Sequence, residues 1–112
     1  MKKVEAVIRL GKLEAVRHAL VERGIHAMTV SEVRGSGNER PRQVTYRGID
    51  LDPGFLPRLK IEMVVEDELA EAAVDAVLLA ASTGHAGDGK VFVSHVETML
   101  RIRTGEELAC AV

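Results

Sequence analysis

The segment STGHAGDGKVFV, residues 82–93, contains the residue types best suited to bind a phosphate group. Gly84 is followed after four residues by Gly89 and Lys90, which reproduces all but the last position of the P-loop pattern GxxxxGK[ST]. Val91 replaces the hydroxyl residue that would bind Mg²⁺. The order also differs, because a P-loop runs from strand to helix and this segment lies between a helical and a strand pattern. We therefore exclude a P-loop.

The same segment keeps another means of binding phosphate. Gly84, Gly87 and Gly89 allow backbone N–H groups to turn toward one concavity, and Lys90 adds a positive charge there. The alternative interpretation is an ordinary glycine-rich turn before a strand, which is common.

A second basic element is RIRTG, in which Arg101 and Arg103 are two residues apart. In an extended chain such residues share a side, so both guanidinium groups could make bidentate phosphate contacts. A solvated edge strand that its charges protect from pairing is the alternative.

The composition narrows the class of protein. The chain has 112 residues, of which 46% are hydrophobic and 29% charged, as in one ordinary globular domain. A net charge of −2 argues against nucleic acid as a partner. The sequence has neither a membrane-length apolar run nor a signal peptide, so we expect a cytoplasmic protein. With Cys110 as the only cysteine and dispersed histidines, we expect no metal centre.

The hydrophobic periodicity predicts two βαβ halves separated by a long loop. The predicted strands cover residues 2–10, 25–33, 58–66 and 90–102, the last one broken near Glu97, and the predicted helices cover residues 11–24 and 67–83. Two such halves with right-handed crossovers make an α+β, ferredoxin-like sheet with both helices on one face. The uncovered face carries apolar residues such as Val64, which favours an oligomer.

The loop between the halves is longer than a simple connection requires. It reads RGSGNERPRQVTYRGIDLDPGFLP and shows no sustained apolar face. Loops beyond about 12–15 residues are usually functional or disordered. We therefore expect this loop to have a function.

Several stretches together resemble the PII nitrogen-regulatory signal-transduction proteins, over essentially the whole chain. They are MKKVEAVI, KLEAVRHAL, GIHAMTVSEV, YRG, FLPRLKIEMVV, TGHAGDGKVFV and RIRTGEE. The resemblance implies one βαββαβ domain over residues 1–112, assembled as a homotrimer with ATP or ADP between subunits. It also implies a T-loop at about 36–56 that docks onto targets, a B-loop at about 82–90 and a C-loop at about 101–112.

The resemblance further assigns a nucleotide site, with Mg²⁺ able to accompany ATP. Asn38 stands where relatives carry a phosphate-contacting arginine. The matched positions are Thr29, Glu62 and Val64 around the adenine, Gly35 and Gly37 at the T-loop base, Gly87, Asp88, Gly89 and Lys90 at the phosphates, and Arg101 and Arg103 from the C-loop at a subunit interface.

The effector site departs from the pattern of the family. Relatives bind 2-oxoglutarate through a glutamine and a lysine, whose positions here hold Glu39 and Arg58. A carboxylate at the first position would repel the dicarboxylate, and arginine changes the reach of the second. Pro41 and Leu10-Gly11 are further replacements nearby. These changes argue against binding of 2-oxoglutarate.

The sites of covalent modification are also replaced. Leu51 occupies the position of the uridylylated tyrosine and Ile49 that of the phosphorylated serine, while Tyr46 fits a structural position. Ile49 and Leu51 are apolar residues at the tip of such a loop, and with Tyr46 they are the candidate contacts for a partner, although packing of the loop on its own trimer is an equal alternative.

The resemblance therefore implies a nucleotide-sensing regulator, not an enzyme, that controls a transporter or a metabolic enzyme in nitrogen regulation. An ammonium channel is the first expected target, and such a partner would recruit the protein to the membrane. One alternative is a specialised paralogue that senses ATP and ADP without 2-oxoglutarate for another transporter. The other is a small phosphate-transferring enzyme with His95 or Asp88 as nucleophile or base, although nothing in the sequence pairs with either to activate it.

Overall fold

The computed structural model describes residues 1–36, 44–46, 49–51 and 55–109. The main elements in chain order are β1 (Lys2–Ile8), a 3-10 turn (Leu10–Lys12), α1 (Leu13–Glu22), β2 (Thr29–Gly35), β3 (Val44–Tyr46), β4 (Ile49–Leu51), β5 (Leu56–Val65), α2 (Asp67–Ala81) and β6 (Gly89–His95).

Four strands form one antiparallel sheet in the order β2-β5-β1-β6, and β3 pairs with β4 separately. Because β1 and β5, the first strands of the two halves, lie side by side at the centre, the topology is the ferredoxin-like one that the periodicity predicted. The β3–β4 pair lies inside the segment that the sequence predicted as a loop without regular structure.

The core is aliphatic and lies between the sheet and the two helices, as the alternation predicted. Val4, Ala6 and Ile8 of β1 are fully buried, because every second residue of a strand faces the same side. Helix spacing brings Val16 and Leu20 of α1 onto the same core. Gly24 ends the first helical segment with φ of 80°, as expected of a C-terminal glycine.

Two strand boundaries were predicted wrongly. β2 begins at Thr29 rather than at residue 25, because Ile25 is a buried core residue that follows the helix and donates its N–H to Leu20 O. β1 ends at Ile8, so Leu10 is half exposed rather than on the buried face.

The last strand also differs from the prediction. β6 ends at His95, and beyond it Leu100 forms only an isolated bridge with Glu107. α2 begins at Asp67, Glu66 holds the N-cap position, and no side chain caps this helix. Asp67 pairs with the N-terminal amine at 3.0 Å.

The face of the sheet opposite the helices carries a row of ion pairs. Lys3 contacts Glu5 at 2.9 Å and Glu62 at 3.2 Å, and Lys60 contacts Glu62 at 2.9 Å. Phe92 lies directly across from Glu5 on the neighbouring strand and is 52% exposed. This face therefore combines paired charges with an exposed aromatic ring.

Candidate functional site

The loop between α2 and β6 has the backbone conformation that its glycines predicted. Gly84, Gly87 and Gly89 have φ of 82°, 94° and 116°, which other residues rarely adopt. At Gly89 a Cβ atom would lie 1.8 Å from the carbonyl oxygen of Val7. Only glycine therefore allows the loop to enter β6 this close to β1.

The carboxylate of Asp88 organises the loop from within. Its Oδ2 accepts hydrogen bonds from the N–H groups of Thr83 at 2.7 Å and Gly84 at 3.0 Å, and its Oδ1 accepts one from the hydroxyl of Thr83. The Thr83 oxygen in turn accepts the N–H of His85 at 3.2 Å. The two ends of the loop are thus tied together through one side chain.

These hydrogen bonds also fix the charge of Asp88. The hydroxyl and N–H of Thr83, together with Arg9 and the N–H of Gly84, lower the pKa of the Asp88 carboxyl far below its usual value of 3.8. Asp88 is therefore ionised at neutral pH. A carboxylate so fully engaged is a poor general base, which argues against the enzyme alternative.

Arg9 contacts the same loop, and the sequence reasoning missed it. Its Nε donates to Asp88 Oδ1 at 3.1 Å and its Nη2 donates to the carbonyl oxygen of Ala86 at 2.8 Å. No local pattern in the sequence indicates this contact, because it follows from the sheet register, in which Ile8, the residue before Arg9, is the partner of Gly89. Residue 9 must therefore meet the end of the loop.

An open cleft of about 600 Å³ lies beside this loop. Its lining combines predicted site residues with others that were not predicted. The predicted ones are Gly35, Arg58, Gly87, Asp88, Gly89 and Lys90, and the others are Val7, Ser36, His85, Ala86 and Phe92. The cleft therefore brings together the base of the T-loop, the predicted phosphate loop and Arg58, the described residue of the predicted effector site.

The predicted adenine residues do not line this cleft. Thr29 of β2 is the register partner of Glu62 of β5, and Val64 is two residues further along the same strand. Lys60 and Lys3 lower the pKa of Glu62, while Glu5 and Glu62 raise that of Lys3. Within one chain these residues belong to the charged sheet face.

The two arginines of the C-terminal segment also lie outside the lining of the cleft. The Arg101 N–H donates to Glu106 O at 2.9 Å, and Arg101 O accepts the N–H of Gly105 at 2.7 Å. This turn presents Arg103 to solvent and leaves Arg101 partly buried. Among the described residues, neither arginine makes a hydrogen bond or an ion pair with the loop between α2 and β6 of its own chain.

The remaining predicted positions cannot be placed in the cleft. Gly37, Asn38 and Glu39 lie outside the described residues, as does Pro41. The partner-binding candidates fall on the short strands, with Tyr46 on β3 opposite Ile49 on β4 and with Leu51 at the end of β4. Their proposed roles stay predictions.

The described residues show no metal centre and no membrane-spanning helix. Over residues 1–36 and 55–109 and the two short strands, no group of three His, Cys, Asp or Glu side chains could hold a metal ion. In the same parts of the chain, no helix is long and apolar enough to cross a membrane.

Comparison with known proteins identifies relatives along the whole chain. The family model described as Nitrogen regulatory protein P-II matches residues 1–106. The chain is 53% identical over 112 residues to Nitrogen regulatory protein P-II of Microchaete diplosiphon, with both chains fully covered. It is 47% identical over 112 residues to Nitrogen regulatory protein P-II 1 of Escherichia coli, again with full coverage of both. With the Haemophilus influenzae protein of the same name it shares 50% over 107 residues, or 96% of each chain.

Proposed function

Because the chain belongs to the nitrogen regulatory protein P-II family, we propose that its cleft binds ATP or ADP and that this nucleotide controls a target protein. Family membership confirms the resemblance found in the sequence, the ferredoxin-like fold and a regulatory, non-enzymatic role in nitrogen regulation. The ligand, the assembly and the target are the parts that we propose.

The observation that carries the proposal is the composition of the cleft. Gly87, Gly89 and Lys90 lie on its wall together with Arg58 and the T-loop base at Gly35. Backbone N–H groups and a lysine ammonium are the donors that bind phosphate without a helix N-terminus. They fit the phosphates of a nucleotide, and Asp88 does not oppose them because its charge is already compensated.

The separation of the other predicted residues supports a site shared between subunits. Thr29, Glu62 and Val64 lie away from the cleft, and so do Arg101 and Arg103. We place the adenine contacts and the two arginines on a neighbouring chain of a homotrimer. The exposed Phe92 and the charged sheet face supply the surface that such an assembly would cover.

We propose that the T-loop transmits the binding of nucleotide to the target protein. Its base at Gly35 and Ser36 touches the cleft, so a bound nucleotide would favour some conformations of the loop over others. The target is a transporter, with an ammonium channel first, or a metabolic enzyme. Binding to a transporter would recruit the protein to the membrane.

Titration calorimetry with ATP and with ADP tests this function. We expect the wild-type protein to bind both, and Lys90→Met to bind roughly ten- to a hundredfold more weakly because a charge-assisted hydrogen bond to phosphate is lost. Lys12→Met removes the same charge outside the cleft and should bind like wild type. Absence of binding heat for either nucleotide with the wild-type protein would refute the proposal.

A further inference from the structure

We propose that Arg9 is a positioning residue for phosphate binding, which it serves by orienting the peptide group between Ala86 and Gly87. The inference rests on the proposed nucleotide site and adds a residue to it. Arg9 does not itself line the cleft. Its effect on a bound phosphate passes through the loop that it holds.

Arg9 holds the peptide unit between Ala86 and Gly87 in one orientation. Arg9 Nη2 donates to the carbonyl oxygen of Ala86 at 2.8 Å. In a trans peptide the C=O of one residue and the N–H of the next point in opposite directions, and the described residues contain no cis peptide bond. By holding the oxygen of Ala86, Arg9 turns the N–H of Gly87 away from itself.

The N–H group of Gly87 makes no hydrogen bond to the described part of the chain, so it can bind a ligand. The N–H groups of Thr83, Gly84 and His85 are used inside the loop. Among the residues that the structure describes, no acceptor faces the N–H of Gly87, and Gly87 lines the cleft. The loop thus directs some amides inward and leaves this one for the cleft.

The second contact of Arg9, to Asp88, holds its guanidinium group in place beside Ala86. Its Nε donates to Asp88 Oδ1 at 3.1 Å, while Asp88 holds Thr83 and Gly84. The two donors of one planar guanidinium therefore set the distance between Asp88 and Ala86. The guanidinium group is planar and rigid, so its two donors keep a fixed spacing and suit such a paired contact.

A simpler explanation is that Arg9 only adds positive charge near the phosphates. The two explanations predict opposite effects for Asp88→Asn. If charge alone matters, removal of the Asp88 carboxylate tightens ATP binding. If positioning matters, Asp88→Asn weakens it, because an amide cannot accept all the hydrogen bonds that hold the loop.

The test is calorimetric titration of ATP into wild type, Arg9→Met, Asp88→Asn and the double variant. We expect each single variant to bind roughly tenfold more weakly or worse. The double variant should lose less than the sum of the two single losses, because both changes break the Arg9–Asp88 contact. Arg17→Met removes an exposed arginine of α1, which pairs with Glu14 at 3.7 Å, and is the charge-matched control.

A spectroscopic readout separates positioning from loss of fold. In the ¹H–¹⁵N spectrum of the free protein, Arg9→Met should shift the Gly87 amide resonance while leaving the β1 and β5 resonances in place. Arg9→Lys, which keeps a donor, should recover part of the affinity.

Tighter binding by Asp88→Asn, or additive losses in the double variant, would overturn the positioning role. An unchanged Gly87 resonance in Arg9→Met would do the same. If the wild-type protein itself binds no nucleotide, the proposed function fails first, and the calorimetry of wild type alone shows this.

Discussion

Gly89 at the start of β6 lies so close to β1 that a Cβ atom added to it would meet the carbonyl oxygen of Val7 at 1.8 Å. The loop between α2 and β6 therefore packs directly against β1, a central strand of the sheet. The oxygen belongs to the backbone of a central strand, so it cannot move aside as a flexible side chain would. The position of the loop is therefore fixed by the sheet.

This contact predicts a large cost for Gly89→Ala. The added methyl group would meet backbone at a φ of 116°, and we expect a loss of about 3 kcal/mol or more in unfolding free energy. Gly84→Ala is the matched control, because its φ is 82° but nothing lies within 4 Å of the added Cβ. It should cost only about 1–2 kcal/mol. Urea unfolding measures both, and equal losses would contradict the close contact.

Asp88 predicts a pH dependence of stability. Its pKa in the folded chain lies below the usual 3.8, so its stabilising contribution is complete above about pH 4 and is lost as the pH falls below that value. The difference in unfolding free energy between wild type and Asp88→Asn should be constant from about pH 7 to 5 and should narrow below about pH 4.

Thermal unfolding followed by circular dichroism over this pH range checks the prediction. Asp75→Asn, on the exposed side of α2, removes the same charge without touching the loop and should differ little from wild type at pH 7. If the difference in unfolding free energy between wild type and Asp88→Asn stays the same down to pH 3, the hydrogen bonds of Asp88 do not depend on its charge.

The exposed sheet face predicts where the subunits meet. Phe92 lies opposite Glu5, so Phe92→Asp would place a second carboxylate beside the first and bury both in the proposed trimer. We expect the variant to sediment as a smaller species than wild type. Leu79→Asp is the control, because Leu79 is 77% exposed on α2, and it should leave the mass unchanged. Identical masses for wild type and Phe92→Asp would place the interface elsewhere.

Because of Glu39 and Arg58, we predict that 2-oxoglutarate does not strengthen the binding of ATP. Arg58 lines the cleft, and its Nη1 donates to the carbonyl of Pro57 at 3.0 Å. With a carboxylate at position 39 repelling the effector, saturating 2-oxoglutarate should change the affinity for Mg-ATP by less than about twofold. Glu39→Gln with Arg58→Lys should restore tighter binding in its presence. Strong coupling in the wild-type protein would show that the two residues still build the effector site.

The sequence predicted the parts of the fold that depend on periodicity. Val4, Ala6 and Ile8 follow the strand alternation, Val16 and Leu20 follow the helical spacing, and all five are buried, because burial on one face leaves a regular pattern. Periodicity failed at Ile25, where a buried residue in a connection resembles the start of a strand.

The candidate site was predicted less completely than the fold. The glycines and Lys90 were visible as a motif, but Arg9 lies 79 residues from its partner Asp88 and belongs to no local pattern. Its role depends on the register between β1 and β6, which composition does not reveal. The resemblance to known proteins predicted which residues touch a ligand but not which residue holds the loop.

The central claim is a nucleotide site completed by two subunits, and mixed trimers test it most directly. Lys90→Met damages the cleft of its own chain, whereas the double variant Arg101→Ala with Arg103→Ala damages what that chain offers to its neighbour. Co-expressed chains with different tags allow isolation of trimers that contain both. We predict that ATP binding, nearly lost in each homotrimer, returns in the mixed trimers at about one site each. Mixed trimers that bind no better than the two homotrimers would contradict a shared site.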